Sequence, residues 1–296
     1  MEIIVQWSGG KDSQATLIKT VENFGSNKVT AVFCDVGWEH EITYKHVEDV
    51  PRALDVKLVI IKSKIYEDFI DLAKQHKRFP STKARFCTSK LKNEPFIDYI
   101  LDVVKDDALV MQGIRKDESL SRSKMTYYCN LFKYYFEPYN IDKYGRKEYH
   151  NYRSKEVKEY CKTYATDIER PILHWTAQDC LTYILDSGYL PNPLYYRGAA
   201  RVGCYPCIMC RHGEIKNIII NDEERLQLIE GAEKYVGRSF FPPNYIPKRY
   251  QSGKDINGKS YPTILDVKKY VMEIEKGHEK RDENKDGCMS YYGICE

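Results

Sequence analysis

The sequence predicts an α/β fold, a doubly wound parallel sheet, followed by a smaller, mainly helical, cysteine-bearing C-terminal region. Three observations carry that expectation. Short apolar runs alternate with stretches of helical spacing through the first half of the chain, the pattern of strands joined by crossover helices. A glycine-bearing turn, Ser8-Gly9-Gly10-Lys11-Asp12-Ser13, separates the first such run from the first helix. Cysteines gather late, as Cys204, Cys207 and Cys210.

Bulk properties narrow the class. The 296 residues, 42% hydrophobic and 30% charged, suffice for one large domain or two smaller ones. No run of eighteen apolar residues occurs and the first residues read as a strand, so the expected location is cytoplasmic, away from the membrane. Ten cysteines in that setting point to thiols or metal ligands rather than disulfides. A net charge of +3 is too small to announce nucleic-acid binding, whereas 25 tyrosines, many beside Lys or Arg, offer rings for stacking on bases.

Ile3 to Trp7 reads as the first strand. In the turn after it, two glycines let the backbone bend sharply and bring N–H groups to an anion, and the next helix adds the positive end of its dipole. Lys11 adds a full charge, Ser8 and Ser13 add hydroxyl donors, and Asp12 either holds magnesium or caps the helix. The spacing is too short for a Walker A loop. Leu17, Ile18, Val21 and Phe24 keep helical period up to a stop at Gly25. Val29 to Cys34 is the second strand, and Asp35 at its end reads as a helix cap or as a carboxylate for ribose hydroxyls or magnesium. A helix through Leu54 and a third strand from Val56 to Ile61 follow. Ligands of such sheets bind at the strands' carboxyl ends, so the loop and Asp35 are expected to face one pocket.

Residues 76–92 are basic, with Arg85, Lys90 and Lys92 close to Cys87, an environment suited to a thiolate or an oxyanion. A strand from Ala108 to Gly113 leads into Arg115, Glu118 and Arg122; the two arginines can clamp phosphate or sulfate while Glu118 orients them. Residues 125–165 interleave tyrosines with Lys and Arg, as a packed strand pair or lid, or as a grip on nucleic acid or a protein carrier. Thr176 to Asp179 is a capping-box pattern opening a helix that ends at Gly188. Helices are expected again from Asn221 and near Ile264 to Ile274. Cys204, Cys207 and Cys210 can direct three thiolates at one centre, an iron-sulfur cluster with a fourth ligand among Cys87, Cys288 and Cys295. A tetrahedral zinc site from Cys204, Cys207, Cys288 and Cys295 is the chemical alternative.

These motifs carry a resemblance. Ser8 to Ser13 resembles the SGGKDS loop of the PP-loop ATP pyrophosphatases, and Cys34 to Glu41 is similar to the D-T-G-aromatic segment of sulfate-activating and phosphoadenylyl-sulfate reductase relatives, with Val36 in place of threonine. Gly113 to Arg122 resembles their G-x-R-x-x-E-S-x-x-R element, and Ile172 to Cys207 their tryptophan helix, N-P-L-Y turn and R-x-G-C-x-x-C ending. The paired cysteines of the cluster-bearing reductases correspond to Phe86-Cys87, where only the second remains. The chain is thus identified as a member of the phosphoadenylyl-sulfate (PAPS) reductase family, similar to the sulfur-inserting subunit of DNA phosphorothioation systems.

The resemblance implies a nucleotide-binding domain over 1–200, with its insertion at about 125–165, and a cysteine-cluster region over 201–296. It implies ATP and Mg2+ as cofactors, with Ser8, Gly9, Gly10, Lys11, Ser13, Asp35, Gly113, Arg115 and Glu118 at the nucleotide, and Lys11, Asp12, Arg115 and Arg122 acting in catalysis. It also implies a [4Fe-4S] cluster, or Zn2+, on Cys204, Cys207 and Cys210 with Cys87, or Cys288 as alternative fourth ligand. The implied activity is adenylation of an acceptor, a nucleic acid or a protein sulfur carrier, with pyrophosphate release and sulfur transfer. Reduction of adenylyl sulfate to sulfite is the alternative, although the tail lacks the reductases' E-C-G-x-H order. A non-catalytic nucleotide- or nucleic-acid-binding module is the third reading.

Overall fold

Alternation along β1 (Glu2–Trp7) decides how the sheet is covered: Ile3, Val5 and Trp7 point to one core and Ile4 to another, and all four are buried. A strand apolar on both faces needs helices on both. The structure, a computed structural model, describes residues 1–255 and 258–278. Cys288 and Cys295 lie outside the described residues.

The strands are β1, β2 (Val29–Cys34), β3 (Lys57–Ile61), β4 (Ala108–Met111), β5 (Tyr128–Asn130), the short pair β6 (Asn140–Ile141) and β7 (Lys147–Glu148), β8 (Thr166–Glu169), and a second short pair, β9 (Gly253–Lys254) and β10 (Ser260–Tyr261). Six of them form one sheet in the order β3-β2-β1-β4-β8-β5. Ile3 stands opposite Val29 on one side and Leu109 on the other, both in parallel register. The expected parallel sheet is therefore present, with one difference. β5, from the tyrosine-rich insertion, runs antiparallel to β8 at the edge.

Two compact units make up the chain. The first comprises Met1–Asp35, Glu41–Ser63 and Leu91–Pro193 and contains the sheet. On one face α1 (Lys11–Phe24) packs Leu17 and Ile18 onto Val5, beside α2 (Glu41–Ala53) with Val47 and Val50 and the helix Ala177–Asp186 with Ile184. On the other, Phe96, Ile100, Phe132 and Val157 cover Ile4 and Val110. Each such side chain, fully buried, contributes about 1.5–3 kcal/mol of transfer free energy. The Ala177–Asp186 helix opens with the reciprocal box the sequence predicts: Asp179 N–H donates to Thr176 Oγ1 at 3.1 Å and Thr176 N–H to Asp179 Oδ2 at 2.7 Å.

The second unit gathers Val36–His40, Lys64–Lys90 and the described part of Leu194–Glu296. Its core is aromatic: Trp38 stacks on Phe69 at 5.5 Å, and Phe240 lies 5.3 Å from Phe79. Around it run the helices Phe69–Gln75, His212–Asn221, Glu223–Val236 and Ile264–His278. Glu233, buried, accepts the Phe240 and Ile264 N–H groups at 2.9 and 3.0 Å, and burial pushes its carboxyl up to about 7.

Candidate nucleotide site and cysteine loop

The turn after β1 is held open from within. Ser13 Oγ donates to Gly10 O at 2.9 Å, accepts the Ser8 N–H at 3.2 Å and lies 3.0 Å from Ser8 Oγ. Gly10 is the N-cap of α1, and no side chain supplies the capping bond there. A helix start without a side-chain cap leaves first-turn N–H groups to an anion. Gly9 has φ +75°, and a Cβ on it would stand 3.0 Å from Thr43 Cγ2 and from Val47 Cγ2. The Gly-Gly step is required both by conformation and by space.

Behind the loop lies a buried charge relay. Lys11 is buried with its Nζ 3.6 Å from Asp12 Oδ2, and Arg115, 5% exposed, donates from Nε to Asp12 Oδ1 at 2.7 Å. A second nitrogen of Arg115 reaches Asp117 at 2.5 Å. Glu118 accepts the Arg115 backbone N–H at 3.1 Å and also the Arg122 guanidinium. The family element therefore divides: Arg115 braces Asp12 beneath the loop, while half-exposed Arg122 is positioned by Glu118. Gly113 abuts the same turn, since a Cβ there would stand 2.8 Å from Asp12 C and O and Ser13 N.

Asp35 stands at the carboxyl end of β2 and accepts Tyr44 Oη at 2.8 Å and Lys62 Nζ at 2.9 Å. It does not cap a helix, because α2 begins only at Glu41. Asp12 and Asp35 each have both carboxylate oxygens engaged, so neither forms a ready magnesium cage.

Three supporting residues escape a reading by motif. Asn192, fully buried in the N-P-L-Y turn, donates to Gly9 O at 3.2 Å and to Thr43 Oγ1 at 3.4 Å. Gln14 donates to Leu190 O at 2.9 Å and offers its own oxygen to His46 Nε2 at 3.0 Å. The acceptor assigns the proton to Nε2 of a neutral ring, and burial lowers His46 to about 4. Gln14 and His46 stand among other polar residues of α1 and α2 and carry no sequence signal; for Asn192 the signal was the turn itself.

The cysteine loop belongs to the second unit. Tyr205 N–H donates to Trp38 O at 2.8 Å, Trp38 Nε1 donates to Pro206 O at 3.0 Å, and the Arg225 guanidinium lies 4.8 Å over Trp38 and 5.2 Å over Tyr205. Cys204 and Cys207 are half-buried, whereas Cys210 is buried with its Sγ 3.8 Å from Tyr245 Oη, and burial pushes its thiol up to about 12. Cys87 lies in the short helix Phe86–Thr88. Among the described residues no three Cys, His, Asp or Glu side chains converge to hold a metal ion. As placed, the described thiols do not converge on a cluster or zinc site. No helix among the described residues is long and apolar enough to cross a membrane.

Residues 2–210 match the family described as phosphoadenosine phosphosulfate reductase domain. An uncharacterised 37.8 kDa protein of Escherichia phage 186 is 27% identical over 99% of this chain and 96% of its own length. Phosphoadenylyl-sulfate reductase of Candida auris, in a phosphate complex, superposes with a TM-score of 0.44 at 16% identity, covering 70% of this chain and 83% of that one. FMN adenylyltransferase of Candida glabrata, with FAD and inorganic pyrophosphate, gives 0.43 at 15% identity, covering 69% and 55%.

Proposed function

Since the chain belongs to the phosphoadenosine phosphosulfate reductase domain family, we propose that it is an ATP pyrophosphatase that adenylates an acceptor and releases pyrophosphate. The observation that carries this reading is the intact Ser8–Ser13 loop, with glycine at the N-cap of α1 and no capping side chain on it. In this reading MgATP is the substrate. The first-turn N–H groups, Ser8, Ser13 and Lys11 bind the β and γ phosphates, while Arg122, set by Glu118, steadies the α phosphate or the acceptor. An acceptor oxygen forms a bond to the α phosphorus as the bond to the bridging oxygen breaks. The electron pair leaves with pyrophosphate, whose charge the loop offsets. Asp12, braced by Arg115, holds Lys11 against the back of the loop.

The sulfur half of the reading assigns 1–200 to nucleotide chemistry and 201–296 to the cysteines, with Cys204, Cys207, Cys210 and Cys87 or Cys288 as the cluster's ligands. Its support is the family spacing alone. Anaerobic purification with iron, sulfide and zinc analysis tests it: iron and sulfide in equal amounts support it, and their absence removes it.

The adenylation reading is tested with MgATP and water as acceptor. AMP and pyrophosphate in equal amounts are expected, lost in Lys11→Ala with the far-UV spectrum unchanged. ADP and phosphate as products, or undiminished pyrophosphate release by the variant, would overturn it. Sulfite release from adenylyl sulfate by the intact chain would select the reductase alternative.

A further inference from the structure

Two sets of tyrosines stand out within residues 125–165. Tyr135 is buried with its Oη donating to Tyr152 O at 2.8 Å, Tyr152 Oη donates to Asp98 at 3.2 Å, and Tyr160 Oη donates to Asp106 O at 2.6 Å. These seat the insertion on the first unit, together with Arg153, which is paired with Asp98 and Asp102 at 2.7 and 2.8 Å. The other set is on the β6–β7 hairpin and faces water.

The ladder Asn140–Glu148 and Ile141–Lys147 fixes the faces of that hairpin. Side chains alternate along a strand, so Tyr139, Ile141, Lys147 and Tyr149 share one face. They are 42–59% exposed where hydrophobic or aromatic, and Tyr144 at the tip is 72% exposed. The face is not a loose loop. His150 packs against Tyr134, Tyr135 and Tyr139 at 5.7, 5.7 and 5.1 Å, and its N–H donates to Tyr134 O at 2.9 Å.

Charge decides the occupant. The hairpin's acids are turned inward on its own groups: Asp142 Oδ1 accepts the Tyr144 and Arg146 N–H groups, each at 2.8 Å, and Glu148 accepts Asn140 Nδ2 at 2.8 Å. Its cations do the opposite. Lys143, Arg146 and Lys147 are exposed, and Lys143 and Arg146 lie 4.8 and 5.9 Å from the Tyr144 ring. Exposed ring faces interleaved with cations that form no ion pair among the described residues match unpaired bases joined by phosphates, whereas an acidic protein segment would use the cations and leave the rings wet.

We propose that the β6–β7 hairpin is a docking platform for single-stranded nucleic acid, with Tyr139, Tyr144 and Tyr149 stacking on bases and Lys143, Arg146 and Lys147 neutralising phosphates. The platform names the class of acceptor for the adenylation reading, yet binding to it needs no ATP. The two are read separately: Lys11→Ala should bind the strand as the native chain does.

The test is fluorescence anisotropy of the full chain with a fluorescein-labelled 20-nucleotide single strand as DNA, the same sequence as RNA, and the DNA duplex, across a salt series. Single strand should bind at least tenfold tighter than duplex, and the DNA and RNA arms decide which strand is preferred. Tyr139→Ser with Tyr144→Ser should weaken binding tenfold or more with the salt slope kept. The triple change Lys143→Gln, Arg146→Gln and Lys147→Gln should lower the slope of log K against log salt by about 2. All these positions are exposed, and an unchanged thermal melt checks the fold. No binding, equal binding of duplex and single strand, or a tyrosine variant as tight as the native chain would overturn the proposal.

Discussion

Replacing Gly113 by alanine puts one methyl group into the backbone of the phosphate loop. The new Cβ would stand 2.8 Å from Asp12 C, Asp12 O and Ser13 N, all main-chain atoms that cannot rotate aside. Comfortable carbon contacts begin near ~3.5 Å, so either β4's end or the first turn of α1 must move by about 0.7 Å. Overpacking of this kind costs about 1–3 kcal/mol, which for a chain of this size lowers the melting temperature by roughly 2–5 °C. Activity should suffer more than stability, since a catalytic group displaced by about 1 Å loses on the order of 100-fold. Gly231 supplies the matched control: it lies inside the helix Glu223–Val236, has no left-handed φ, and has nothing within 4 Å of its virtual Cβ. Gly231→Ala should therefore raise stability by about 0.5–1 kcal/mol, leaving catalysis alone. Calorimetric melts and AMP formation from MgATP, measured on both variants, give the comparison. A Gly113→Ala protein that melts with the native chain and keeps its kcat/KM within about twofold would refute the steric reasoning.

Asn192→Ala should cost about 1–3 kcal/mol by leaving Gly9 O and Thr43 Oγ1 without their buried donor. It should raise the KM for ATP, and Asn192→Asp, which brings no N–H, should not restore it; a KM unchanged in both variants counts against a loop-setting role. His46 predicts an acid-sensitive fold. Its folded value near 4 lies below the ordinary 6.5, so its contribution is complete above pH 6.5 and falls as pH drops toward 4. The loss is about 2 kcal/mol at pH 5. Urea midpoints at pH 7 and pH 5 should separate in the native chain and draw together in His46→Gln; an equal separation in both would assign the acid lability elsewhere.

The parts of this molecule that are local in sequence were legible there. Val29–Cys34 is a strand with the bounds its apolar run suggests, Gly25 stops α1, and Thr176 and Asp179 close their box, because each is decided by residues within one turn of one another. What escaped depends on distance. Asn192 acts on Gly9 across 183 positions, and Gly113 matters through atoms of Asp12 and Ser13. The helix His212–Asn221 was hidden because its N-cap is Arg211, which offers only a backbone N–H to Glu214 Oε2 at 2.8 Å, where a Ser, Thr or Asp would have announced it. Asp35 left a helix cap open beside the nucleotide carboxylate that the resemblance favours, and the start of α2 at Glu41 removes the cap. The tyrosines of the insertion have one composition and two fates, divided by hydrogen bonds to Asp98 and Asp106 that no pattern reveals.

The aromatic centre around Trp38 also makes the protein a convenient optical object. The chain has three tryptophans. Trp7 and Trp175 belong to the unit that carries the sheet, and Trp38 to the other, where a guanidinium lies against its ring. Two proteins, one retaining Trp38 alone and one retaining Trp7 alone, would give each unit its own emission signal during denaturation. Coincident transitions would identify a single cooperative unit, and separated ones would assign a distinct free energy to each half of the chain.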